Sequence, residues 1–285
     1  MITVVDKLSK EEVETYQLVL LSAGIASRAV RQADGWELEV APDRSAEAAG
    51  LIDAYRIENR PDPIVSEDIF RDFKKSLAGI WGALLLAAVH VFVTMQPDSR
   101  FLMDSYAATA GRMLDGEWYR AATALLLHSG AVHLAGNMVG IAVLGSAVCS
   151  IMGWGVGWLM ILSAGIGGNV MNAVVYKTGH SSIGASTAVF GALGLLTAWQ
   201  FLRRLEHPGR RIKALLPLGA GLALLGFLGS SAHADILAHL FGFLSGLVIG
   251  FLYGKTAAKR FGTPVQAAAL ITAIVILVRA WLGGI

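Results

Sequence analysis

Charged residues are scarce in this sequence. Asp, Glu, Lys and Arg make up 15% of its 285 residues, whereas 55% are hydrophobic and the mean hydropathy is +0.59. Because soluble domains carry charge at about 25% of positions, this composition excludes an ordinary soluble protein. The net charge of +2 is too small to indicate nucleic acid as a partner.

Cysteine is almost absent as well. The single cysteine, Cys149, excludes an internal disulfide framework, and its place in an apolar run favours a small buried core residue. The first residues, MITVVDKLSKEEVETYQ, lack the basic-then-apolar pattern of a signal peptide. The first membrane span is therefore expected to act as its own insertion signal.

Long apolar runs are what the sequence has instead. A helix needs about 20 mainly apolar residues to cross a bilayer. Seven stretches meet that need: 77–95, 131–151, 154–176, 185–203, 214–231, 236–254 and 265–283. The mixed stretch 96–130 carries Trp118, Tyr119 and the apolar run 121–127, and it is expected to lie partly in the membrane.

Basic residues orient these spans, because Lys and Arg concentrate in cytoplasmic loops. Three clusters share one side if the N-terminus is cytoplasmic: Arg71, Lys74 and Lys75; Arg203, Arg204, Arg210, Arg211 and Lys213; and Lys255, Lys259 and Arg260. The opposite loops, 177–183 and 231–235, are nearly free of Lys and Arg. The stretch 96–130, with three arginines, is the exception.

The first 62 residues predict a small soluble α/β domain. Its pattern is α-β-β-α, with a helix at 9–23, strands at 26–32 and 36–40, and a helix from 45 to about 59 capped by Asp43 or Ser45. A binding or regulatory role and a passive appendage both stay open. A linker at 63–76, a six-span core at 77–254, and a basic loop with a seventh span at 255–285 complete the chain.

Polar groups inside apolar spans are costly and require an explanation, and three places stand out. The first is Ser186, in the run Gly184-Ala185-Ser186-Thr187 at the outer end of the fourth span. Its hydroxyl can meet water there. Taken alone, this segment favours a serine that hydrogen-bonds back to its own helix. The Gly-x-Ser-x-Gly hydrolase elbow does not fit, because Ala188 stands at the second glycine.

The second place is His239, a few residues inside the sixth span. A stripe of glycines follows it at every fourth position: Gly242, Gly246, Gly250 and Gly254. Such stripes allow close helix contact in membranes, and Gly191 and Gly194 offer a counterpart in the fourth span. Contact between these faces would bring Ser186 and His239 within hydrogen-bonding reach. A packing or pore histidine is the alternative.

The third place comprises His128, His133 and Asn137, around the start of the second span. His133 and Asn137 are four residues apart and share one helical face, which suits two donors to a developing oxyanion. Metal binding is the poorer interpretation, since an amide is a weak ligand and neither a carboxylate nor a cysteine accompanies it. A structural hydrogen-bond cluster stays open.

In this order and spacing, the three places resemble the rhomboid protease family over residues 75–255. His128, His133 and Asn137 match its His-x4-His-x3-Asn motif, and Gly184-Ala185-Ser186 matches Gly-x-Ser-Gly with Thr187 at the usual glycine. Ala238, His239, Gly242 and Gly246 match Ala-His-x2-Gly-x3-Gly. Trp118-Tyr119-Arg120 looks like the tryptophan–arginine signature of a loop that is partly membrane-embedded and extracytoplasmic in the family.

The resemblance implies an all-α six-span bundle that cuts transmembrane segments of membrane proteins with no cofactor or metal. Ser186 would be the nucleophile and His239 the base, while His133, Asn137 and the Ser186 backbone N–H would hold the oxyanion. Supporting residues would be His128, Gly184, Phe190, Trp118, Arg120, Gly242 and Gly246. Phe190 stands where the family often has a ring stacked on the histidine. The resemblance also implies a prokaryotic plasma membrane, with the site opening extracytoplasmically.

Two residues depart from this simple picture. A β-branched Thr187 is expected to narrow the site or change which substrate residue is accepted, without abolishing activity. Asp235 lies four residues before His239 and invites a triad interpretation. We interpret it instead as a helix-start residue, because the family works without an acid and carboxylates are common there.

Two other functions compete with proteolysis. The first is a non-catalytic rhomboid-like protein that binds or chaperones membrane clients, although both dyad residues are present here. The second is a small-solute transporter or channel, which would predict inverted repeats and broken helices near the bilayer midplane. The sequence has no visible repeat of that kind, and its polar residues cluster near one surface. It does not specify the natural substrate or the oligomeric state.

Overall fold

The described residues of this computed structural model are 1–59, 75–205, 215–229, 235–256 and 260–283. Their contacts divide the chain into two units, 1–68 and 69–285. Several predicted features fall outside the described residues: most of the linker 63–76, most of the loop 231–235, and Arg71, Lys74, Arg210, Arg211, Lys213 and Lys259.

The N-terminal unit is a three-stranded antiparallel sheet with two helices. Its elements are β1 (Ile2–Leu8), α1 (Lys10–Ser22), β2 (Ser27–Gln32), β3 (Gly35–Val40) and α2 (Ser45–Glu58), with strand order β1-β3-β2. The four predicted elements are present, and β1 is additional. Two register shifts interrupt its pairing with β3. Adjacent valines likewise break the alternation by which a sequence reveals a strand.

The core of this unit lies between the helices and one face of the sheet. Leu38 and Val40 of β3 are fully buried with Leu20 of α1 and Ile52 of α2. Ser9 caps α1 in a capping box with Glu12. The predicted cap of α2 is wrong: a 3-10 turn, Pro42–Arg44, leads directly into α2, and its N-cap residue, Arg44, makes no side-chain capping bond.

The second unit has a helix at each of the seven predicted spans. These helices are α3 (Ala78–Thr94), α7 (Ala131–Gly140) continued through a π-helical turn into α8 (Ser146–Met152), α9 (Trp154–Tyr176), α10 (Ser186–Leu205), α11 (Leu216–Gly229), α12 (Ile236–Thr256) and α13 (Thr263–Leu282). Within the described ranges, four stretches are long and apolar enough to cross a membrane: Ala131–Met152, Trp154–Tyr176, Ile236–Lys255 and Thr263–Leu282. Ala78–Thr94 and Leu216–Phe227 are shorter apolar helices.

The stretch 96–130 folds into short pieces between α3 and α7. They are α4 (Ser99–Tyr106), β4 (Ala108–Thr109), α5 (Ala110–Leu114), α6 (Arg120–Thr123) and a 3-10 turn at Ala124–Leu126. β4 pairs with β5 (Ser181–Ser182) in the loop that leads to Ser186. This pairing fixes that loop against the stretch.

The seventh helix, α13, is bonded to the bundle near both of its ends. At one end, Gln266 bonds to the break between α8 and α9. At the other, the ring of Tyr106 stacks on Trp281 with centroids 4.4 Å apart, and its hydroxyl donates to the Trp281 carbonyl oxygen at 3.0 Å.

Candidate active site

Ser186 is the first residue of α10 and is half-buried. Two backbone bonds fix the residues before it. The Gly184 N–H donates to the Ala124 carbonyl oxygen at 2.9 Å, and the Ala185 N–H donates to His128 Nε2 at 3.4 Å. The segment carrying the candidate nucleophile is therefore bonded to residues that are far away in sequence.

Gly184 permits a close approach that no other residue would allow. Its φ of +131° is a conformation that side-chain-bearing residues rarely adopt. A methyl group added there would lie 2.7 Å from His133 Cε1 and Nε2 and 3.5 Å from Asn137 Nδ2. The His133 and Asn137 side chains thus lie against the backbone two residues before Ser186.

His133 and Asn137 project from α7 toward this backbone. The Ser129 hydroxyl bonds His133 Nδ1 at 3.2 Å, which leaves Nε2 on the side facing Gly184. Asn137 is only 6% exposed, and within the described part of the chain its Nδ2 has no hydrogen-bond partner. The Asn137 side chain therefore offers a buried amide N–H that could donate to an acceptor beside Ser186.

His128 lies behind these two residues and is almost completely buried. Its ring is 5.1 Å from that of His133 and 6.4 Å from that of His90, measured between centroids. Burial, aided by the nearby His133, lowers the pKa of His128 to about 4. The ring is consequently neutral at physiological pH, as its acceptor role toward the Ala185 N–H requires.

His239 lies in the first turn of α12 and is 6% exposed. The ring of Phe190, one turn along α10 from Ser186, lies against it with centroids 4.6 Å apart and planes at 33°. This contact joins the two helices that carry the candidate dyad, and it holds the imidazole on its apolar side.

The glycine stripe of α12 meets α10 directly. A methyl group at Gly242 would collide with the Thr187 carbonyl oxygen, and one at Gly246 would collide with that of Gly191. Backbones can approach this closely only where the side chain is a hydrogen atom. The residues that follow Ser186 and His239 are therefore packed against each other.

Thr187 fills this helix interface. Its side chain is 2% exposed, and its methyl group lies where a side chain at Gly168 or Gly242 would have to be. The expectation that Thr187 narrows the site or changes which substrate residue is accepted stays a prediction. The β-branched side chain packs between α9 and α12.

Trp118 and Arg120 differ in how deeply they are buried. Trp118 is 47% exposed, whereas Arg120 is 1% exposed. The Arg120 guanidinium bonds Glu117 at 2.5 Å and donates to the carbonyl oxygens of Asp104 and Ala107 at 2.8 and 3.0 Å. Arg120 thus holds together the stretch 96–130, which explains a buried arginine in an apolar environment.

Sequence reasoning overlooked several polar residues around the site. Asn169 donates to the Ala121 carbonyl oxygen at 2.9 Å, and Asn172 and His180 bond Asp235. The signal that could have revealed the two asparagines was their polarity inside the predicted span 154–176. Asp235 starts its helix as predicted, since its Oδ1 accepts from the Ala238 N–H at 3.0 Å. In the described ranges, no three His, Cys, Asp or Glu residues are placed to hold a metal ion.

Comparison with known proteins identifies the family of this chain. The model of the rhomboid domain matches residues 115–256. The rhomboid-family protein YdcA of Bacillus subtilis (strain 168) is 30% identical over 147 residues, which cover 52% of this chain and 73% of YdcA.

Two further relatives differ in what their names say. The rhomboid protease GluP of the same bacterium is 32% identical over 56% of this chain and 31% of its own length. Human inactive rhomboid protein 2 is 31% identical over 48% of this chain and 16% of its own length. The match to YdcA and the domain model together show that this chain belongs to the rhomboid family of integral membrane proteins.

Proposed function

We propose that this protein is an intramembrane serine endopeptidase that uses a Ser186–His239 dyad. Ser186 Oγ attacks the scissile carbonyl carbon while His239 takes the hydroxyl proton. The tetrahedral intermediate then expels the amine, which receives that proton from His239. A water molecule, deprotonated by His239, hydrolyses the acyl-enzyme and regenerates Ser186. His133, Asn137 and the Ser186 backbone N–H hold the oxyanion.

The observation that carries this proposal is the Asn137 amide. A buried donor without a partner costs about 1–3 kcal/mol, and a structural cluster would be expected to satisfy it. Asn137 Nδ2 instead faces Gly184, two residues before Ser186, without a partner among the described residues. An oxyanion formed at Ser186 would supply the acceptor.

The placement of the candidate base supports the same conclusion. The Phe190 ring lies against His239, and Gly242 packs on the backbone of Thr187, so both candidate dyad residues belong to one tightly packed helix pair. The carboxylate of Asp235 bonds His180, Asn172 and the Ala238 N–H. Asp235 therefore supports a helix start, and the proposed mechanism uses no third acidic member.

The substrate in this proposal is a transmembrane segment with small residues at the cut and a helix-weakening stretch nearby. Unwinding is needed because a helical backbone keeps its carbonyl groups in hydrogen bonds. We place the N-terminus in the cytoplasm of a prokaryotic cell and the site toward the extracytoplasmic side. Residues 1–62 form a separate domain in this proposal, and 77–254 form the catalytic core.

The test uses purified protein in liposomes with a panel of single-span substrates. Wild-type protein should cut at least one substrate, whereas Ser186→Ala and His239→Ala should cut none while staying folded. Ser245→Ala is the matched control, because Ser245 lies on α12 with only a weak bond to Met171 Sδ at 3.6 Å. Normal turnover by Ser186→Ala or His239→Ala would overturn the dyad.

A fluorophosphonate probe separates catalysis from client binding. The probe should label wild type and Ser245→Ala but not Ser186→Ala. Substrate capture without labelling or cleavage would favour the non-catalytic function that the name of one human relative illustrates.

A further inference from the structure

Outside the proposed dyad, a second polar cluster joins the two segments that carry it. His180 lies in the loop between α9 and α10, and Asp235 immediately precedes α12. His180 Nε2 and Asp235 Oδ2 are 2.6 Å apart. Asn172, a buried residue of α9, donates to the same Asp235 oxygen at 2.9 Å.

Both carboxylate oxygens of Asp235 and its backbone carbonyl oxygen accept hydrogen bonds. Oδ1 accepts from the Ala238 N–H at 3.0 Å, and the backbone carbonyl accepts from the His239 N–H at 3.0 Å. Burial raises the pKa of the Asp235 carboxyl, but the bonds from Ala238 and His180 outweigh burial and leave the pKa below its usual value. The first turn of α12, which contains His239, is thus anchored to an ionised carboxylate.

His180 is held equally well on its other sides. The ring of Tyr176 stacks on it with centroids 3.8 Å apart and planes at 8°. Its carbonyl oxygen accepts from the Ala110 N–H at 2.9 Å, and the next two residues form β5, paired with β4. Six residues after His180, the same loop ends at Ser186.

We propose that His180 and Asp235, with Asn172, form a positioning cluster that sets the distance and angle between Ser186 and His239. The cluster reaches His239 through the backbone, because the Asp235 carbonyl oxygen accepts from the His239 N–H at 3.0 Å. It fixes the loop before Ser186 to the helix start before His239 through a charge-assisted hydrogen bond. Misplacement of reacting groups by about 1 Å can cost about 100-fold in rate, so a small shift here would reach the chemistry.

This proposal rests on the proposed function, and the experiment separates the two. The rate of fluorophosphonate labelling, kcat and KM are measured for wild type, His180→Ala, His180→Gln and Thr178→Ala. Glutamine keeps an N–H donor near the position of Nε2, whereas alanine removes it. Thr178 is an exposed residue of the same loop and provides the control.

For His180→Ala, we expect labelling and kcat to fall together by about 10- to 100-fold with KM within about threefold. His180→Gln should recover most of the loss, and Thr178→Ala should match wild type. If His180→Ala keeps the wild-type kcat and labelling rate, or loses only thermal stability, the positioning role is overturned while the protease stands. If wild type itself neither labels nor cleaves, the proposed function fails and the positioning role fails with it.

The double variant His180→Ala with Asp235→Asn provides a further test if one of the single variants fails to fold. Positioning through one shared bond predicts that the double variant is no slower than the slower single variant, because each change breaks the same bond. Fully multiplicative losses would show that the two residues act separately and would overturn the cluster.

Discussion

Replacing Gln266 with leucine tests how the seventh helix is joined to the rest of the membrane unit. Gln266 of α13 is 3% exposed and reaches the break between α8 and α9. Its Oε1 accepts from the N–H groups of Gly155 and Val156 at 2.9 and 3.0 Å, and its Nε2 donates to the Met152 carbonyl oxygen at 3.0 Å. One side chain thus caps the end of α8 and the start of α9.

The expected loss follows from these bonds. Leucine is similar in size to glutamine, so the substitution removes hydrogen bonds more than packing. Losing a capping acceptor costs about 0.5–2 kcal/mol, and each further bond contributes about 0.5–1.5 kcal/mol. Gln266 also donates to the Phe261 carbonyl oxygen at 3.3 Å. We therefore expect the free energy of unfolding to fall by about 2–6 kcal/mol.

The assay is SDS-induced unfolding in mixed micelles, with helix content as the signal. Thr272→Val is the matched control, because Thr272 lies on the exposed face of α13 and its hydroxyl donates only to Ala268 in the same helix, at 2.9 Å. The control should stay within about 0.5 kcal/mol of wild type. A loss of that size for Gln266→Leu would refute the reasoning, since it would mean that the four bonds contribute nothing net.

The remaining predictions concern the candidate site and the N-terminal domain. Gly184→Ala should abolish cleavage and lower the unfolding temperature, because its methyl group would meet His133 at 2.7 Å; a fully active variant would contradict this contact. Asn137→Ala should lower kcat by about 10²–10³ with little change in KM, and a loss confined to KM would contradict the oxyanion role. The pKa of His128 is lowered to about 4 by burial, so the unfolded chain binds its proton more readily. Stability should therefore fall as pH decreases from about 6.5 toward 4. In thermal melts over the same pH range, the unfolding temperature of His128→Gln should fall less than that of wild type. Removing residues 1–62 should leave measurable proteolysis, and complete loss in a folded protein would show that the domain is required.

Local patterns in the sequence were sufficient to predict the helices, and they nominated the candidate site residues, whose roles stay predictions. Hydropathy is a property of each segment by itself, so the spans could be predicted without knowing how the helices pack. The structure has a helix at each of the seven predicted spans, and Trp154–Tyr176 has the predicted bounds. The helix start at Asp235 is likewise readable, because a cap and its helix are adjacent in sequence. The strand β1 was missed because its register shifts and adjacent valines hide the alternation.

Only the tertiary structure decided which polar residues meet. Polarity inside a span shows that a side chain needs a partner, but it does not say which one. Gln266 bonds a helix break more than 100 residues away, and His180 bonds Asp235 across a separation of 55 residues. The orientation of Thr187 also depends on residues distant in sequence, since its methyl group packs against Gly168 and Gly242 in the helix interface. The sequence by itself determined the helical spans and nominated the candidate site residues, because hydropathy and motifs are local features. Packing of distant helices decided the geometry that joins them, because close contact depends on which faces meet.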